Sequence, residues 1–351
     1  MTDADGDWPL KRLMTEVVGS GTKSAEDMTR AQAAEAMRRI FDGDPDPTTL
    51  GAFWLANRWK HNTATELAAF TDEMGDRVDY AAPDADPVDC GANYDGKGRS
   101  AILGVAAGVV AAAAGTPVVA HSGDRVPTQK QDAYKHVLDE LGVATELVPA
   151  DSAAMVDDVG FGFYYQPSFN PAVADLFDRR DRMGVRTFVN TVETLANPAG
   201  ASVHLGSFYH LAFAKKVVET FQQSAFHDLD RVVMFQGMEG YDDIRPGYTK
   251  VADWRADDSF DDYEIETAEY GMDFETEDLG VADVAADSAR LTREVVDGER
   301  TDHWYDAVAL NAAFRIYAGD DADSLADGLD AARDAIDDGS AAAVLDDLRA
   351  F

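Results

Sequence analysis

The chain has 351 residues, and its 66 acidic residues against 30 lysines and arginines give a formal net charge of −36 at pH 7. Hydrophobic residues still make up 46% and aromatic residues 10%, so the composition excludes a disordered acidic chain. So anionic a surface is typical of a halophilic protein in a salt-rich cytoplasm, where screening weakens self-repulsion. The same negative field disfavours nucleic-acid binding, although high salt weakens that objection.

Cys90 is the single cysteine, which excludes an intramolecular disulfide and a cysteine-rich metal site. The acidic, polar start of the sequence does not resemble a signal peptide. The longest apolar run, Ala101 to Ala114, is too short and too rich in alanine to span a bilayer. We therefore expect a soluble, cytoplasmic protein with no membrane partner.

The first 80 residues have helical periodicity from Trp8 onward. Thr29 is a typical N-cap, the pair Asp46–Pro47 restarts a helix, and Thr63 or Thr65 begins a fourth helix. Helices this short need each other or a second subunit to cover their apolar faces. The pattern predicts a helical domain that forms a homodimer through these helices.

The segment from Val88 to Leu141 predicts strand, glycine-rich turn, buried helix, strand, polar loop and helix. The first loop, Tyr94 to Gly98, has two glycines that permit positive φ, and the second loop spans Ser122 to Gln131. Both loops leave a strand and enter a helix, whose N-terminus offers unpaired N–H groups to an anion such as phosphate. The alternative is a purely structural turn, because the motif is neither a Walker loop nor a dinucleotide fingerprint.

The rest of the chain alternates between strand and helix patterns, which predicts an α/β fold with a mainly parallel central sheet flanked by helices. Residues 81–87 are the predicted linker between a helical domain (1–80) and an α/β domain (87–351). Residues 248–254 and 263–267 predict an antiparallel addition, and helices fill the chain from residue 282. Predicted strands lie at residues 87–91, 116–121, 143–148, 160–165, 185–189, 203–207 and 231–236, and predicted helices at 100–114, 152–159, 171–183 and 211–222.

Several motifs, in this order of elements, resemble the anthranilate phosphoribosyltransferase family, which belongs to the same class as pyrimidine nucleoside phosphorylases. They are the helical segment Arg30 to Met74, the alanine-rich helix before TPVVAH, and the stretches GVRTFVN, LANPAGA and GMEGYDDI. The likeness covers nearly the whole chain. The first loop, NYDGKGRS, is more similar to the divergent anthranilate phosphoribosyltransferase-like branch, which includes members proposed to bind nucleic acid.

The resemblance implies a glycosyltransferase of tryptophan biosynthesis that moves a phosphoribosyl group from phosphoribosyl diphosphate to a small aromatic acceptor, with Mg²⁺ as cofactor. The implied metal ligands are Asp242 and Asp243, for which the alternative is a solvated surface pair in so acidic a chain. The implied ligands of phosphoribosyl diphosphate are Gly91, Asn93, Asp95, Gly96, Lys97, Arg99, Gly123, Arg125, Thr128 and Lys130. The implied acceptor-binding residues are His121, Asn170, Arg180 and Glu193.

Arg180 falls six residues before Arg186, where the family carries the arginine that holds the acceptor's carboxylate. A guanidinium suits that task, and the alternative is a surface ion pair with Asp178 or Asp181. A carboxylate at Glu193 would repel an anionic acceptor unless another group neutralises it.

The basic residues of the two loops stand out in a chain so short of cations. Lys97, Arg99, Arg125 and Lys130 predict phosphate binding, and the alternative is ion pairing within the loops. Two main hypotheses follow: a phosphoribosyltransferase, or a binding protein that has kept the fold and lost turnover. A nucleoside phosphorylase is a third and less favoured hypothesis, because those chains resemble this one less closely.

Overall fold

The computed structural model describes residues 7–257 and 259–351. Its N-terminal part is helical, as the periodicity predicts. The helices are α1 (Leu10–Leu13), α2 (Arg30–Phe41), α3 (Pro47–Lys60) and α4 (Ala64–Gly75), and a π-helical turn at Met14–Val18 follows α1.

Side-chain caps fix the starts of three of these helices. The Thr29 hydroxyl accepts a hydrogen bond from the Gln32 N–H at 3.3 Å, and the Thr63 hydroxyl accepts one from the Glu66 N–H at 3.2 Å. The Asp46 carboxylate begins α3 by the same means. The predicted N-caps are confirmed, with Thr63 and not Thr65 at the start of α4.

The described residues form one seven-stranded sheet in the order β3-β2-β1-β4-β5-β6-β7. Neighbouring strands from β1 to β5 are parallel, and β6 and β7 are antiparallel, so the predicted fold class and the antiparallel addition are confirmed. The strands are β1 (Val88–Cys90), β2 (Val118–Ser122), β3 (Phe161–Tyr165), β4 (Val203–Phe208), β5 (Arg231–Gln236), β6 (Tyr248–Arg255) and β7 (Phe260–Glu266).

Helices cover both faces of the sheet and close the C-terminal part of the chain. The buried helix α5 (Gly104–Ala113) packs against α14 (His303–Ala318) and α16 (Ser340–Ala350), as its small and aliphatic sequence predicts. The further helices are α5 (Gly104–Ala113), α6 (Tyr134–Leu141), α7 (Pro149–Val159), α8 (Gln166–Phe169), α9 (Pro171–Ala174), α10 (Phe177–Met183), α11 (Val189–Val192), α12 (Leu211–Gln223), α13 (Val284–Val296), α14 (His303–Ala318), α15 (Leu325–Asp337) and α16 (Ser340–Ala350).

Two predicted strands are wrong. Residues 143–148 alternate between buried and exposed positions but pair with no strand, and the place beside β2 is taken by β3 instead. Residues 185–189 are rich in β-branched side chains, yet they lead into helix α11. The Asn190 side chain accepts from the Thr187 N–H at 3.0 Å, and the Thr187 hydroxyl accepts from the Val189 N–H at 3.2 Å. These local bonds replace a strand's ladder.

Three predicted helices have different limits in the structure. The helix predicted over residues 152–159 begins at Pro149. The helix predicted over residues 100–114 begins at Gly104, because residues 100–103 hydrogen-bond instead to the acidic loop after β5 and to α13. The helix predicted over residues 171–183 is divided into α9 and α10.

The strand order brings several loops together at the centre of the sheet. β1 lies between β2 and β4, so the chain leaves β1 toward one side and later returns to its other side. A crevice opens at the carboxyl ends of parallel strands where neighbouring connections diverge in this way, and ligands bind there. The loops after β1, β4 and β5 all emerge at this point.

β7 forms one edge of the sheet, and β3 forms the other. Four of its seven residues are exposed carboxylates: Asp261, Asp262, Glu264 and Glu266. No helix in the described part of the chain combines the length and apolarity that a membrane crossing requires.

Candidate active site

The two loops predicted to bind phosphate lie against each other. The Lys97 N–H donates to the Asp132 carbonyl at 2.9 Å, so the first loop is bonded to the end of the second. Gly96 has φ +79°, and a Cβ there would lie 2.3 Å from the Asp132 carbonyl oxygen. A glycine is therefore required for this approach of the two loops.

Lys97 points into the protein and not toward a ligand. Its side chain has no exposed surface, and its Nζ donates to Asp243 Oδ2 at 2.7 Å and to the Ala101 carbonyl at 2.6 Å. The Leu103 N–H donates to the same carboxylate oxygen at 3.1 Å. One of the two implied metal ligands is thus held by a buried cation.

Asp242 has a second buried cation, which the sequence did not reveal. Arg315 Nη2 donates to Asp242 Oδ2 at 2.9 Å, the Tyr134 hydroxyl donates to the same oxygen, and neither charged side chain is exposed. Burial raises the pKa of Asp242 even though Arg315 opposes that shift. The available signal was that Arg315 is the only charged residue between Ala307 and Ala318. The surface-pair alternative for the two aspartates is wrong.

A third carboxylate of the same loop holds the first loop in place. Glu239 accepts from the Gly98 N–H at 3.2 Å and from the Ser100 hydroxyl at 2.6 Å. Burial opposes ionisation, but the hydrogen bonds from Ser100 and Gly98 outweigh it and lower the pKa of Glu239. The loop after β5 therefore binds the first loop through several acidic side chains.

Arg180 and Glu193 lie together and neutralise each other. Arg180 donates to both carboxylate oxygens of Glu193, at 2.6 and 2.8 Å, and each side chain is only 1% exposed. Gln166 Nε2 donates to Glu193 Oε2 at 3.0 Å. The predicted alternatives for Arg180, pairs with Asp178 or Asp181, are wrong. The guanidinium is instead already bound to a carboxylate of this chain.

The other predicted cations lie on the surface. Arg125 pairs with Asp132 at 2.7 Å and Lys130 with Asp181 at 2.7 Å, with about half of each basic side chain exposed. Arg99 is 86% exposed and lies 3.6 Å from Glu239. Gly123 is buried and Thr128 half-buried in the second loop.

His121 belongs to a buried chain of hydrogen-bonding groups. Its Nε2 lies 3.1 Å from Asp89 Oδ1, its Nδ1 contacts the Tyr94 hydroxyl, and His204 Nδ1 lies 2.8 Å from Asp89 Oδ2. Burial opposes ionisation of Asp89, but the two histidines outweigh it and hold the pKa of this carboxyl far below its usual range. Asn170 is buried and caps α9 through the Val173 N–H.

An open cavity of about 360 Å³ lies at the carboxyl ends of β1, β4 and β5. Gly91 and Asn93 directly after β1, residues of α11, and Arg58 of the helical N-terminal part line it, so it occupies the crevice expected at the centre of the sheet. Its principal side chains are two arginines, three rings and two amides: Arg58, Arg186, Tyr209, His210, Phe213, Asn93 and Asn190. Sequence reasoning missed the arginines and the rings.

Arg186 connects the cavity to the predicted ligands of the first loop. Its Nε lies 2.5 Å from Asp95 Oδ2 and its Nη2 donates to Asn93 Oδ1 at 3.1 Å. Asn190 Nδ2 donates to Asp95 Oδ1 at 3.1 Å. Burial raises the pKa of Asp95, and Arg186 opposes that shift.

Gly91 brings β1 against the loop that follows α11. A Cβ at this position would lie 2.3 Å from the Thr194 carbonyl oxygen, so only glycine fits without a backbone shift. Gly91 and Asn93, which lie between β1 and the first loop, line the cavity.

Comparison with known proteins gives a match along almost the full sequence. The helical bundle domain of the glycosyl transferase family matches residues 14–77, and the a/b domain of that family matches residues 91–342. Anthranilate phosphoribosyltransferase of Natronomonas pharaonis is 31% identical over 329 residues, which are 93% of this chain and 96% of that protein. The enzyme of the same name from Haloarcula marismortui is 31% identical over 328 residues, 92% of this chain and 96% of that protein.

Solved structures agree with this match. The crystal structure of anthranilate phosphoribosyltransferase from Thermus thermophilus has a TM-score of 0.80 and 26% identity, and the match covers 97% of this chain and 98% of that one. The Saccharomyces cerevisiae enzyme in complex with phosphoribosyl diphosphate and Mg also has a TM-score of 0.80, with the same coverage. At 16% identity, that second likeness is one of fold.

Proposed function

We propose that this chain, which belongs to the glycosyl transferase family with a helical bundle domain and an a/b domain, is a phosphoribosyltransferase. The donor is phosphoribosyl diphosphate, and the acceptor is the amino group of anthranilate or a related aromatic amine. The observation that carries the proposal is the open cavity at the carboxyl ends of β1, β4 and β5, which Gly91 and Asn93 line directly before the first loop. Relatives named anthranilate phosphoribosyltransferase, at 31% identity over nearly the whole chain, support it.

The transferred group requires little covalent chemistry from the protein. The bond from ribose C1 to the diphosphate oxygen breaks, and a bond from C1 to the acceptor nitrogen forms, through an oxocarbenium-like state. The protein must therefore stabilise the departing diphosphate and position the acceptor. The diphosphate keeps the electron pair of the broken bond, and the acceptor nitrogen loses a proton after it has attacked.

The exposed cations of the two loops are the proposed diphosphate ligands. Arg125 and Lys130 pair with carboxylates at the surface, where an ion pair stabilises by only about 0–1 kcal/mol. A diphosphate can displace such partners at little cost. Lys97 differs, because its buried pair with Asp243 would leave an uncompensated charge if it opened. We therefore assign diphosphate binding to Arg99, Arg125 and Lys130, and to backbone groups of the loops.

Asp242 and Asp243 offer carboxylate oxygens, which are the kind of ligand atom that a magnesium ion binds. Asp242 Oδ1 and Asp243 Oδ1 are buried and have no hydrogen-bond partner in the described part of the chain. Mg²⁺ takes oxygen ligands, usually one or two carboxylates together with phosphate oxygens and water. We propose these two atoms as its protein ligands, oriented by Arg315 and Lys97 on the opposite oxygens. When bound, the ion neutralises charge on the diphosphate.

A second candidate is a family member that binds a phosphorylated ligand or nucleic acid without turnover. The observation that favours it is the internal pairing of Lys97 with Asp243 and of Arg180 with Glu193. These side chains are satisfied within the protein, so fewer of the implied ligand groups are available to a substrate.

Titration calorimetry with phosphoribosyl diphosphate and Mg²⁺ in molar KCl, followed by a diphosphate-release assay with anthranilate, separates the two candidates. We expect binding, and one diphosphate released for each anthranilate consumed. Arg125→Gln combined with Lys130→Gln should weaken donor binding, while Lys23→Gln, an exposed lysine outside the loops, should not. Absence of heat, with salt-sensitive binding of single-stranded DNA, would instead support the second candidate.

We also propose that the protein is a cytoplasmic homodimer that forms through its N-terminal helices. An apolar cavity of about 420 Å³ lies between the turn after α1 and helix α3, where Trp59 is 58% exposed. A second copy would cover this ring and the apolar side chains around it. Light scattering in molar KCl tests the proposal, and a monomer at micromolar concentration would contradict it.

A further inference from the structure

We infer that Asn190 is a positioning residue of the donor site. Its side-chain amide joins the first loop to the second loop, and it thereby fixes the distance between the groups that bind the diphosphate. The inference rests on the proposed function, because it concerns the same two loops. The donor ligands that the resemblance implies do not include Asn190.

The Asn190 amide uses its two N–H donors on different loops. Its Nδ2 donates to Asp95 Oδ1 of the first loop and to the Pro127 carbonyl of the second loop, each at 3.1 Å. Its Oδ1 accepts from the Thr187 N–H at 3.0 Å. A carboxylate and a carbonyl only accept, and an N–H only donates, so these partners fix the orientation of the amide. The side chain is 5% exposed, so both bonds lie in a low-dielectric interior, where a hydrogen bond is stronger than in water.

The two bonds hold loop segments that lie next to the proposed diphosphate ligands in the sequence. Pro127 lies between Arg125 and Lys130, and about half of each of these basic side chains is exposed. Asp95 belongs to the first loop, which ends directly before Arg99. Ordering two exposed loops when a ligand binds costs conformational entropy, and a residue that holds them in place beforehand reduces that cost.

Two arginines support the ends of this connection, but each contacts one loop only. Arg186 Nε lies 2.5 Å from Asp95 Oδ2, so the Asp95 carboxylate has a partner on each oxygen. Arg180 Nη2 lies 3.5 Å from the Pro127 carbonyl oxygen, at the outer limit of a hydrogen bond. Among the side chains that the structure describes, Asn190 is the one that hydrogen-bonds to both loops.

The loops are also joined at a second point, through the backbone. The Lys97 N–H donates to the Asp132 carbonyl at 2.9 Å, directly after the second loop. Two separate attachments fix both the distance and the angle between the loops. Loss of the Asn190 bonds would leave the backbone attachment, about which the loops could rotate relative to each other.

Asn190→Asp is the variant that tests the inference. It keeps the size of the side chain and the oxygen that accepts from the Thr187 N–H, so the start of α11 is preserved. It places an oxygen where Nδ2 stood, opposite the Asp95 carboxylate and the Pro127 carbonyl, and neither of these has a proton to donate. The variant therefore removes the contacts to both loops.

Asn197→Asp is the matched control. The Asn197 side chain is 4% exposed, its Nδ2 donates to the Ala201 carbonyl and its Oδ1 accepts from the Ala201 N–H, each at 2.9 Å. The same isosteric change there also removes a donor from a buried amide, but its partner belongs to neither loop. The control should lower thermal stability without changing the donor site.

The full-length proteins are compared by titration calorimetry with phosphoribosyl diphosphate and Mg²⁺ in molar KCl, and by hydrogen–deuterium exchange without ligand. Asn190→Asp should weaken donor binding by about tenfold or more, because the loops are no longer held in register. It should also speed amide exchange in both loops. Asn197→Asp should change neither quantity. If Asn190→Asp does not fold, Asn190→Ala takes its place, since it removes the same bonds without adding a charge.

The outcomes separate this inference from the proposed function. Unchanged donor affinity in the Asn190 variant, or unchanged exchange in either loop, overturns the inference, while donor binding by the wild-type protein leaves the proposed function standing. An equal loss of donor affinity in the Asn197 control also overturns it, because reduced stability would then explain both results. Absence of donor binding by the wild-type protein contradicts the proposed function and overturns the inference with it.

Discussion

Two neighbouring regions of this protein differ in whether their charged side chains are buried in ion pairs or exposed without a partner. In the interior layer, Lys97 binds Asp243, Arg315 binds Asp242 and Arg180 binds Glu193, and all six side chains are at most 1% exposed. In the open cavity, Arg58 faces solvent without an acidic partner among the described residues. This difference shows that charged residues at an implied binding site can stabilise the fold instead of binding a ligand. Exposure and pairing distinguish the two roles.

The largest expected effect comes from breaking a pair in the interior layer. Lys97→Met leaves the Asp243 carboxylate buried without its cation, which should lower the free energy of unfolding by about 3–5 kcal/mol. The double variant Lys97→Met with Asp243→Asn should recover most of that loss, because it removes the buried charge. Denaturant unfolding in molar KCl measures both variants. A loss below 1 kcal/mol in the single variant would show that the pair contributes little to stability.

The interior should also give the protein a specific pH dependence. Burial lowers the pKa of His227 from 6.5 to about 4, and its Nε2–H donates to the Leu195 carbonyl at 2.8 Å. The unfolded chain therefore binds a proton between these pH values and the folded protein does not. Stability is complete above pH 6.5 and falls as pH decreases toward 4, by about 3 kcal/mol in total.

His227→Gln is the variant that tests this dependence. It should reduce the slope of unfolding free energy against pH between 6.5 and 4, and it should leave the slope above pH 7 unchanged. An unaltered slope would show that groups other than His227 set the pH dependence in this range.

Gly91 lines the open cavity and allows β1 to pack against the loop after α11. Gly91→Ala brings a Cβ within 2.3 Å of the Thr194 carbonyl oxygen, and the required backbone shift should cost about 1–3 kcal/mol of stability. The same shift should weaken ligand binding in the cavity. Gly51→Ala on α3 is the control, because its nearest neighbour would be Met183 Sδ at 3.5 Å. That control should stabilise the protein by about 0.5–1 kcal/mol.

The smallest stability effect should come from the cavity itself. Arg58→Gln removes an exposed side chain that forms no ion pair in the described part of the chain, so thermal unfolding should change by no more than about 0.5 kcal/mol. An unchanged free energy of unfolding in this variant would be the opposite of the result for Lys97→Met. A large loss of stability in this variant would remove the contrast between the two regions.

Local signals made the fold predictable from the sequence. The caps Thr29 and Thr63 act on residues three positions away, and the strand β5 was predicted with its observed limits, because period and capping depend on neighbours in the chain. The two wrong strands have strand-like composition. In one case β3 takes the place beside β2, and in the other side-chain hydrogen bonds to the backbone begin a helix. Composition encodes neither outcome.

The sequence predicted which segments lie close together but not how their charges pair. The sequence placed the loops, the acidic pair and Arg180 near one another, and the structure brings them together. It did not identify which acid neutralises which base, because Asp242 and Arg315 are 73 residues apart and 66 acidic residues compete for each cation. Such choices depend on burial and distance. The open cavity was missed for the same reason, since Arg58 and Tyr209 come from distant parts of the chain.

The edge of the sheet formed by β7 affects how this protein behaves when it is concentrated. β7 pairs with β6 on one side only, and the free side of such an outer strand offers its N–H and C=O groups to any other extended chain, where aggregation begins. On β7, the carboxylates of Asp261, Asp262, Glu264 and Glu266 would have to lose water before another strand could dock. That dehydration cost persists when salt screens repulsion at a distance, so the strand should resist self-association even in concentrated brine.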